Sequence, residues 1–345
     1  MNLKRVTSQD VANRAGVSRT TVSLVLNNVK DAQISEETRK KVLRAASELD
    51  YHPDASARRL VQGRSQVIGF VERHSPFQNF ADAFMAEVLR GLHGVARQHD
   101  YHVLFEPTPE KREAAHDFLR LIRERHADGI VLSGPRFDDQ QLFQQLGENS
   151  PIVLQGYLPG CNIPSVDVDN VGGARLATEH LLTLGNRRIG MITNGPLAYT
   201  AASDRRTGYL QALQEGGIEF ESSMIQIGAF SPESGYHAMQ RLLELNPQPD
   251  AVFVASDVVA IGAIEAARQA NLHIPDDLAV VGFDDIPWSA YLNPPLTTVR
   301  LPAYSLGWKA GYLLIQLLNQ EEIEEETILL ETQLIVRESC GAQTH

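Results

Sequence analysis

Residues 7–27 read TSQDVANRAGVSRTTVSLVLN. Thr7 is a good helix N-cap, and Asp10, Val11, Ala12, Arg14 and Ala15 continue at helical spacing. Gly16 breaks the helix. Ser18 caps a second one, whose apolar stripe is Val22, Val25 and Leu26. Two short helices joined by a glycine-containing turn suit a helix-turn-helix, whose second helix enters the DNA major groove. An ordinary helical hairpin in a core has the same pattern. Ser18, Arg19, Thr20 and Ser23 fall on the face away from the stripe, free to reach phosphates or base edges.

The wording of the stretch narrows the choice. DVANRAGVS followed by TTVSLVLN resembles the start of the lactose/galactose-repressor (LacI/GalR) family of bacterial transcription regulators, and the resemblance runs on through SEETRKKVLRAASELDYHPDASARRL and, more loosely, to the C-terminus. It implies an all-α helix-turn-helix head at 1–52, a hinge at 53–65 and a two-lobed α/β body at 66–345. In the body it implies parallel sheets in the layout of periplasmic sugar-binding proteins.

Charge is distributed in keeping with that layout. Residues 1–64 hold twelve Lys/Arg and seven Asp/Glu, a net +5, so the rest of a chain with net charge −12 carries −17. A basic head on an acidic body fits a nucleic-acid module joined to a separate domain. The acidic body is repelled by the duplex that the head binds. The 43% hydrophobic content is ordinary for a globular protein, no apolar run is long enough to span a membrane, and the N-terminus lacks a secretory core. Cys161 and Cys340 are too few for a disulfide framework, and no Cys/His cluster has zinc spacing. No cofactor is expected, and a reducing cytoplasm is the simplest compartment.

A third helix begins at Ser35 with Glu36 and Glu37 in its first turn, where carboxylates favour the helix dipole. Val42, Leu43, Ala46 and Leu49 supply its stripe; Lys40, Lys41 and Arg44 are solvated or reach phosphates. Pro53 in DYHP ends it. Asp54 can cap a short helix through Leu60, too short to persist alone in water. The resemblance implies that this hinge folds on operator DNA and inserts Leu60 into the minor groove, with Arg58 and Arg59 on adjacent phosphates. The candidate DNA contacts are thus Thr7, Ser18, Arg19, Thr20, Thr21, Ser23, Leu24 and Asn27 in the head, and Ala57, Arg58 and Leu60 in the hinge. Leu24 departs from the family, which often has a basic residue there. Leucine cannot donate to guanine but can touch a thymine methyl, so the operator is expected to differ at the matching base pair.

From residue 66 onward, short apolar runs alternate with helical stretches: VIGFVE (67–72), HVLFE (102–106), GIVLS (129–133) and PIVLQ (151–155), with helices at Phe84–Gln98 and Glu113–Arg125. After a helix at Gly173–Leu184 the pattern restarts with RIGMIT (188–193), MIQIG (224–228), AVFVAS (251–256) and LAVVGF (278–283). This alternation indicates parallel sheets in two similar halves. TTVRLP (297–302) and the helix Ala303–Leu318 cross back to the first half, and LETQLIVRES closes the sheets. The first lobe is expected at about 66–167 plus 303–328, the second at about 168–302 plus 329–340. Multiple crossings permit a hinge, with a cleft at the carboxyl ends of the strands.

Polar residues follow several of those strands: Asp284 and Asp285 after VVGF, Ser256 and Asp257 after AVFVA, and Arg205 in SDRRTGY. Carboxylates that accept from paired hydroxyls, with one arginine donor, make a sugar-type site. The resemblance assigns effector contact to Arg205, Ser256 and Asp284. Asp257 is read as the cap of the following helix and Asp285 as a cap or turn. Phe230 stands where the family often lays an aromatic on the ligand, although a core phenylalanine fits equally. Arg73, His74, Phe77 and Phe80 follow the first strand and are expected on the opposite wall, where Arg73 could pair with an anionic effector or in a salt bridge. The reading is a homodimeric regulator, a repressor, binding pseudo-palindromic operator DNA and a carbohydrate-like effector, with no membrane contact. A plain sugar-binding protein lacks a use for the basic head. An enzyme using Asp284 and Asp285 lacks a Ser/His/Asp set, P-loop or metal cluster.

Overall fold

The computed structural model describes residues 6–26, 33–51, 64–73, 83–107, 118–146 and 150–342. The chain divides into two units, Met1–Ser65 and Gln66–His345.

In the first unit, α1 (Ser8–Ala15), α2 (Arg19–Leu26) and α3 (Glu36–Glu48) pack on one another. Thr7 and Asp10 form a reciprocal capping box at the start of α1, and Gly16 ends it at φ 68°, a conformation that costs an L-residue about 1–2 kcal/mol. The core consists of Val11, Ala12, Val22, Val25, Val42, Ala45 and Ala46. Leu43, expected in the α3 stripe, is instead 49% exposed, and Ala45 is buried in its place. The buried positions 42, 45 and 46 and the half-buried 49 follow an i, i+3, i+4, i+7 spacing, and 43 lies one residue off that face. The helix also stops before Pro53 acts: Leu49 caps it, Asp50 turns left-handed at φ 49°, and Tyr51 N–H reaches back to the Ala46 carbonyl at 2.9 Å. Arg14 and Glu48 join α1 to α3 at 2.7 Å, but both are exposed and the pair contributes little. So small a core has no reserve. Val22→Ala should cost about 2 kcal/mol, making the head protease-sensitive in the full chain while leaving the body's unfolding midpoint unchanged. An unaltered digestion rate would show that the head does not rely on this core.

The second unit has two sheets. The first lobe is built from β1 (Val67–Glu72), α4 (Ala83–Gln98), β2 (His102–Pro107), α5 (Leu119–Arg123), β3 (Gly129–Ser133), α6 (Gln140–Leu146), β4 (Ile152–Gln155) and β5 (Ser165–Val168). The second contains α7 (Asn170–Thr183), β6 (Ile189–Ile192), α8 (Thr200–Glu215), β7 (Ile225–Gln226), α9 (Pro232–Leu243), β8 (Ala251–Val254), α10 (Asp257–Gln269), β9 (Ala279–Asp284) and β10 (Thr297–Arg300). The chain then returns through α11 (Ala303–Asn319), which packs on α4, to β11 (Thr327–Leu330) and β12 (Gln333–Ile335). The sheet orders are β11-β5-β4-β3-β1-β2 and β12-β10-β9-β8-β6-β7, with every pairing parallel except β12 on β10. β5 and β11 are strands that sequence periodicity missed. SVDV is too short and polar for an apolar-run criterion, and TILL lies beside an acidic stretch. Of the helix expected at Glu113–Arg125, α5 is the described part; 113–117 lie outside the described residues.

The buried runs of the central strands explain their parallel pairing: β1, β3, β4, β6, β8 and β9 are buried at every residue, as strands covered by helices on both faces must be. The chain passes between the lobes three times, at 168–170, 300–303 and 330–333. The carboxyl ends of β1, β3, β4, β5, β6, β8, β9 and β10 border one region, where open α/β sheets gather polar groups.

Candidate functional site

That region is a cleft whose unfilled space, open mouth included, is about 840 Å³. Arg205, Phe230, Ser256 and Asp284 all line it, arriving from α8, the loop after β7, the N-cap of α10 and the end of β9. Four candidates scattered over eighty positions of sequence thus converge.

Arg205 is the centre of the polar wall. Its guanidinium is 6% exposed, donates from Nε to Asn170 Oδ1 at 2.9 Å and from Nη1 to the Ala255 carbonyl at 2.6 Å, and lies 3.6 Å from Asp284 Oδ1. Its face covers the Phe283 ring, 3.9 Å from the centroid. Burial pulls its pKa below the usual arginine value, and the Asp284 carboxylate opposes that pull. Asp284 sits at φ 121° and Asp285 at φ 54°, consecutive positive values that L-residues adopt at a cost and that recur at functional sites.

Asp257 does not cap α10. Ser256 occupies the N-cap position, with no side-chain cap bond, and leaves its hydroxyl to the cleft. Asp257 instead accepts from Thr298 Oγ1 (2.7 Å), Ser289 Oγ (2.5 Å) and Ile286 N–H (3.1 Å), tying β10 and the 286–289 turn to the start of α10. Burial pushes its pKa up to about 6 despite those donors. Asp285 is held by Arg300 (2.7 Å) and Arg337 (2.6 Å), which fix the turn that carries Asp284.

Arg73 is withdrawn from the wall assigned to it. Its guanidinium pairs with the buried Asp139 of its own lobe, so it is not among the cleft residues. His74, Phe77 and Phe80 lie outside the described residues. The polar side chains of the described first-lobe wall are Glu72, Ser133, Gln155 and Asp167, which close or lie within β1, β3, β4 and β5. Ser133 Oγ donates to Gln155 Oε1 at 2.5 Å. Asp167 accepts from Tyr157 N–H, Val168 N–H and Asn170 Nδ2, and burial pushes its pKa up to about 6. The signal that sequence reading missed is the polar residue that ends an apolar strand, the same signal that exposed Asp284.

One rim of the cleft is bonded across the lobes. Phe137 N–H donates to the Ala198 carbonyl (3.0 Å), Thr200 N–H to the Pro135 carbonyl (3.2 Å), and Tyr199 hydroxyl to the Arg73 carbonyl (2.8 Å). Arg136 lies 5.0 Å over the Tyr199 ring, whose edge meets Phe230 at 5.1 Å. Phe230 in turn rests on Gly195, where an added Cβ would come within 2.1 Å of the ring. An aromatic that lines the cleft and one that joins the lobes therefore touch.

In the head, Ser18, Arg19 and Thr20 are exposed; Thr21, Ser23 and Leu24 are half-buried. Ser18 Oγ accepts from Thr21 N–H, as a cap does, and Arg19 Nε donates to Ser8 at 2.9 Å. The Thr7 hydroxyl is engaged with Asp10 at 2.7 Å. Asn27, Ala57, Arg58 and Leu60 lie outside the described residues.

Comparison with known proteins agrees with both units. Residues 7–54 match the family model for bacterial regulatory proteins of the lacI family, and residues 178–340 match a periplasmic binding protein-like domain. The chain is 34% identical to the HTH-type transcriptional regulator RegA of Clostridium saccharobutylicum, over 96% of this chain and 98% of that protein. It is 34% identical to the HTH-type transcriptional repressor CytR of Escherichia coli K12, over 97% and 96%. Among solved structures, the Lac repressor dimer bound to operator and the anti-inducer ONPF has a TM-score of 0.85 at 29% identity, covering 98% of this chain and all of that one. A complex of the transcriptional regulator CelR with cellobiose has a TM-score of 0.74 at 33% identity, covering 97% and 100%. This chain therefore belongs to the lacI family of bacterial regulatory proteins and is a DNA-binding transcriptional regulator with a helix-turn-helix head and a two-lobed periplasmic-binding-like body.

Proposed function

We propose that the chain is a cytoplasmic homodimeric repressor whose grip on a pseudo-palindromic operator is set by a small carbohydrate-like effector held between Arg205, Ser256 and Asp284, with Phe230 against it. It performs no catalysis. The observation that carries the reading is the meeting of those four side chains in one cleft that also spans two lobes. A ligand there bonds both walls at once and changes the free energy of closure, which is how a body site is coupled to a head, typically by about 1–3 kcal/mol. The cellobiose complex of CelR and the operator complex of the Lac repressor support the two halves of the reading. Ser18, Arg19 and Thr20 are the head residues best exposed to reach the duplex. The test is selection of sites from random DNA by the full chain, followed by gel shifts with mono- and disaccharides. An inverted repeat should emerge, and at least one sugar should change its affinity five-fold or more. Recovery of no inverted repeat across a range of salt would refute the reading.

A further inference from the structure

Asn194 was not singled out by sequence, yet it lines the cleft at 6% exposure with its Oδ1 buried and without a hydrogen-bond partner. The strand-end loop gives it little freedom to find one. Thr193 Oγ1 donates to the Gly195 carbonyl at 2.8 Å and accepts from Gly228 N–H at 3.1 Å, and Phe230 N–H donates to the Asn194 carbonyl at 2.8 Å. The backbone is thus pinned on both sides of the side chain. A buried amide oxygen without a donor is unfavourable, and a native site that keeps one is expected to supply the donor in another state.

The same cleft is lined by three carboxylates, those of Glu72, Asp167 and Asp284. Among the described lining residues Arg205 is the single cation, and its Nε and Nη1 are committed to Asn170 and Ala255. Arg73, which could have drawn an anion, is held by Asp139. We infer that Asn194 is a specificity-determining residue that accepts from a hydroxyl or amine of a neutral, donor-rich ligand, and that the cleft rejects the phosphorylated or acidic counterpart of that ligand. This rests on the proposed effector site and names which ligands it takes. A ligand donor meets an unfilled acceptor, whereas a phosphate or carboxylate meets like charges in a low-dielectric wall.

The test is calorimetry on the full-length chain. The neutral probes are D-ribose, D-glucose, cellobiose and uridine; the anionic ones are D-ribose 5-phosphate, D-glucose 6-phosphate and D-gluconate. At least one neutral probe should bind, its anionic counterpart at least tenfold more weakly, and Asn194→Leu should weaken the neutral probe at least tenfold. Asn194→Leu should also leave the unliganded body as stable as before or more so, because it removes the orphaned oxygen at similar volume; a merely structural asparagine would show the opposite. The inference is overturned if an anionic probe binds as tightly as its neutral counterpart, if Asn194→Leu keeps full affinity or destabilises the unliganded body, or if no neutral probe binds at millimolar concentration. Operator selection is read separately: its failure sinks the regulatory reading and leaves these affinities as measured.

Discussion

Arg205→Ala is expected to abolish the ligand response, with affinity reduced at least a hundredfold, while the head keeps its operator preference. The guanidinium joins three pieces of chain, α8 through its own backbone, the start of α7 through Asn170, and the end of β8 through the Ala255 carbonyl, and it faces Asp284 across 3.6 Å. Truncation leaves the Asp284 and Asp167 carboxylates buried without their guanidinium. Breaking a buried pair in this way costs roughly 3–5 kcal/mol, so the body's urea midpoint should fall clearly. Arg205→Lys separates the two consequences. It keeps the charge but loses the planar fork, so it should recover much of the stability and little of the binding. A lysine variant with full ligand response would show that Arg205 supplies charge alone. Because the head is a separate folding unit, operator selection by the alanine variant should match that of the parent.

The second large effect is on pH dependence. Burial pushes the Asp257 carboxyl up to about 6, well above the usual carboxylate range, despite its three donors. A carboxyl raised on folding contributes stability that is fully present below pH 4 and is lost as pH rises through 6. Asp257→Asn removes that titration. Its carbonyl can keep the Ser289 and Ile286 donors, while Thr298 rotates to accept from the amide. The stability of the variant relative to the parent should therefore rise between pH 4 and pH 7. Urea unfolding at several pH values gives the difference, in which carboxylates that do not interact with Asp257 cancel, Asp167 among them although it too is raised to about 6. A difference that is flat with pH would mean that Asp257 titrates normally.

Local pattern served best where local forces dominate. The Thr7 cap, the Gly16 stop and the period-3.6 stripes of the head are short-range features, and apart from Leu43 they stand as expected. The strands of continuous Val, Ile and Leu were also legible, because a strand covered on both faces has little room for polar residues. Within the cleft, Arg205, Ser256 and Asp284 could be picked out as polar residues following such strands or carried by the family's motifs. The same rule, applied to the last residue of VIGFVE, GIVLS and PIVLQ, would have found Glu72, Ser133 and Gln155 as well.

Pairing between distant residues was beyond that reach. Nothing near Arg73 in the chain announces Asp139, and nothing near Asp257 announces Thr298 and Ser289; each contact is made only when segments far apart in the chain meet. Sequence by itself therefore determined the classes of the two units and the ends of strands where chemistry gathers, since both follow from periodicity and from the cost of burying polar groups. Tertiary structure alone decided which of those polar groups are satisfied by the protein and which are not: Arg73 is consumed by Asp139, whereas Asn194 keeps an acceptor that its own fold does not fill. The physical reason is that hydrogen-bond and charge compensation act over a few ångströms of space, whatever the separation along the chain.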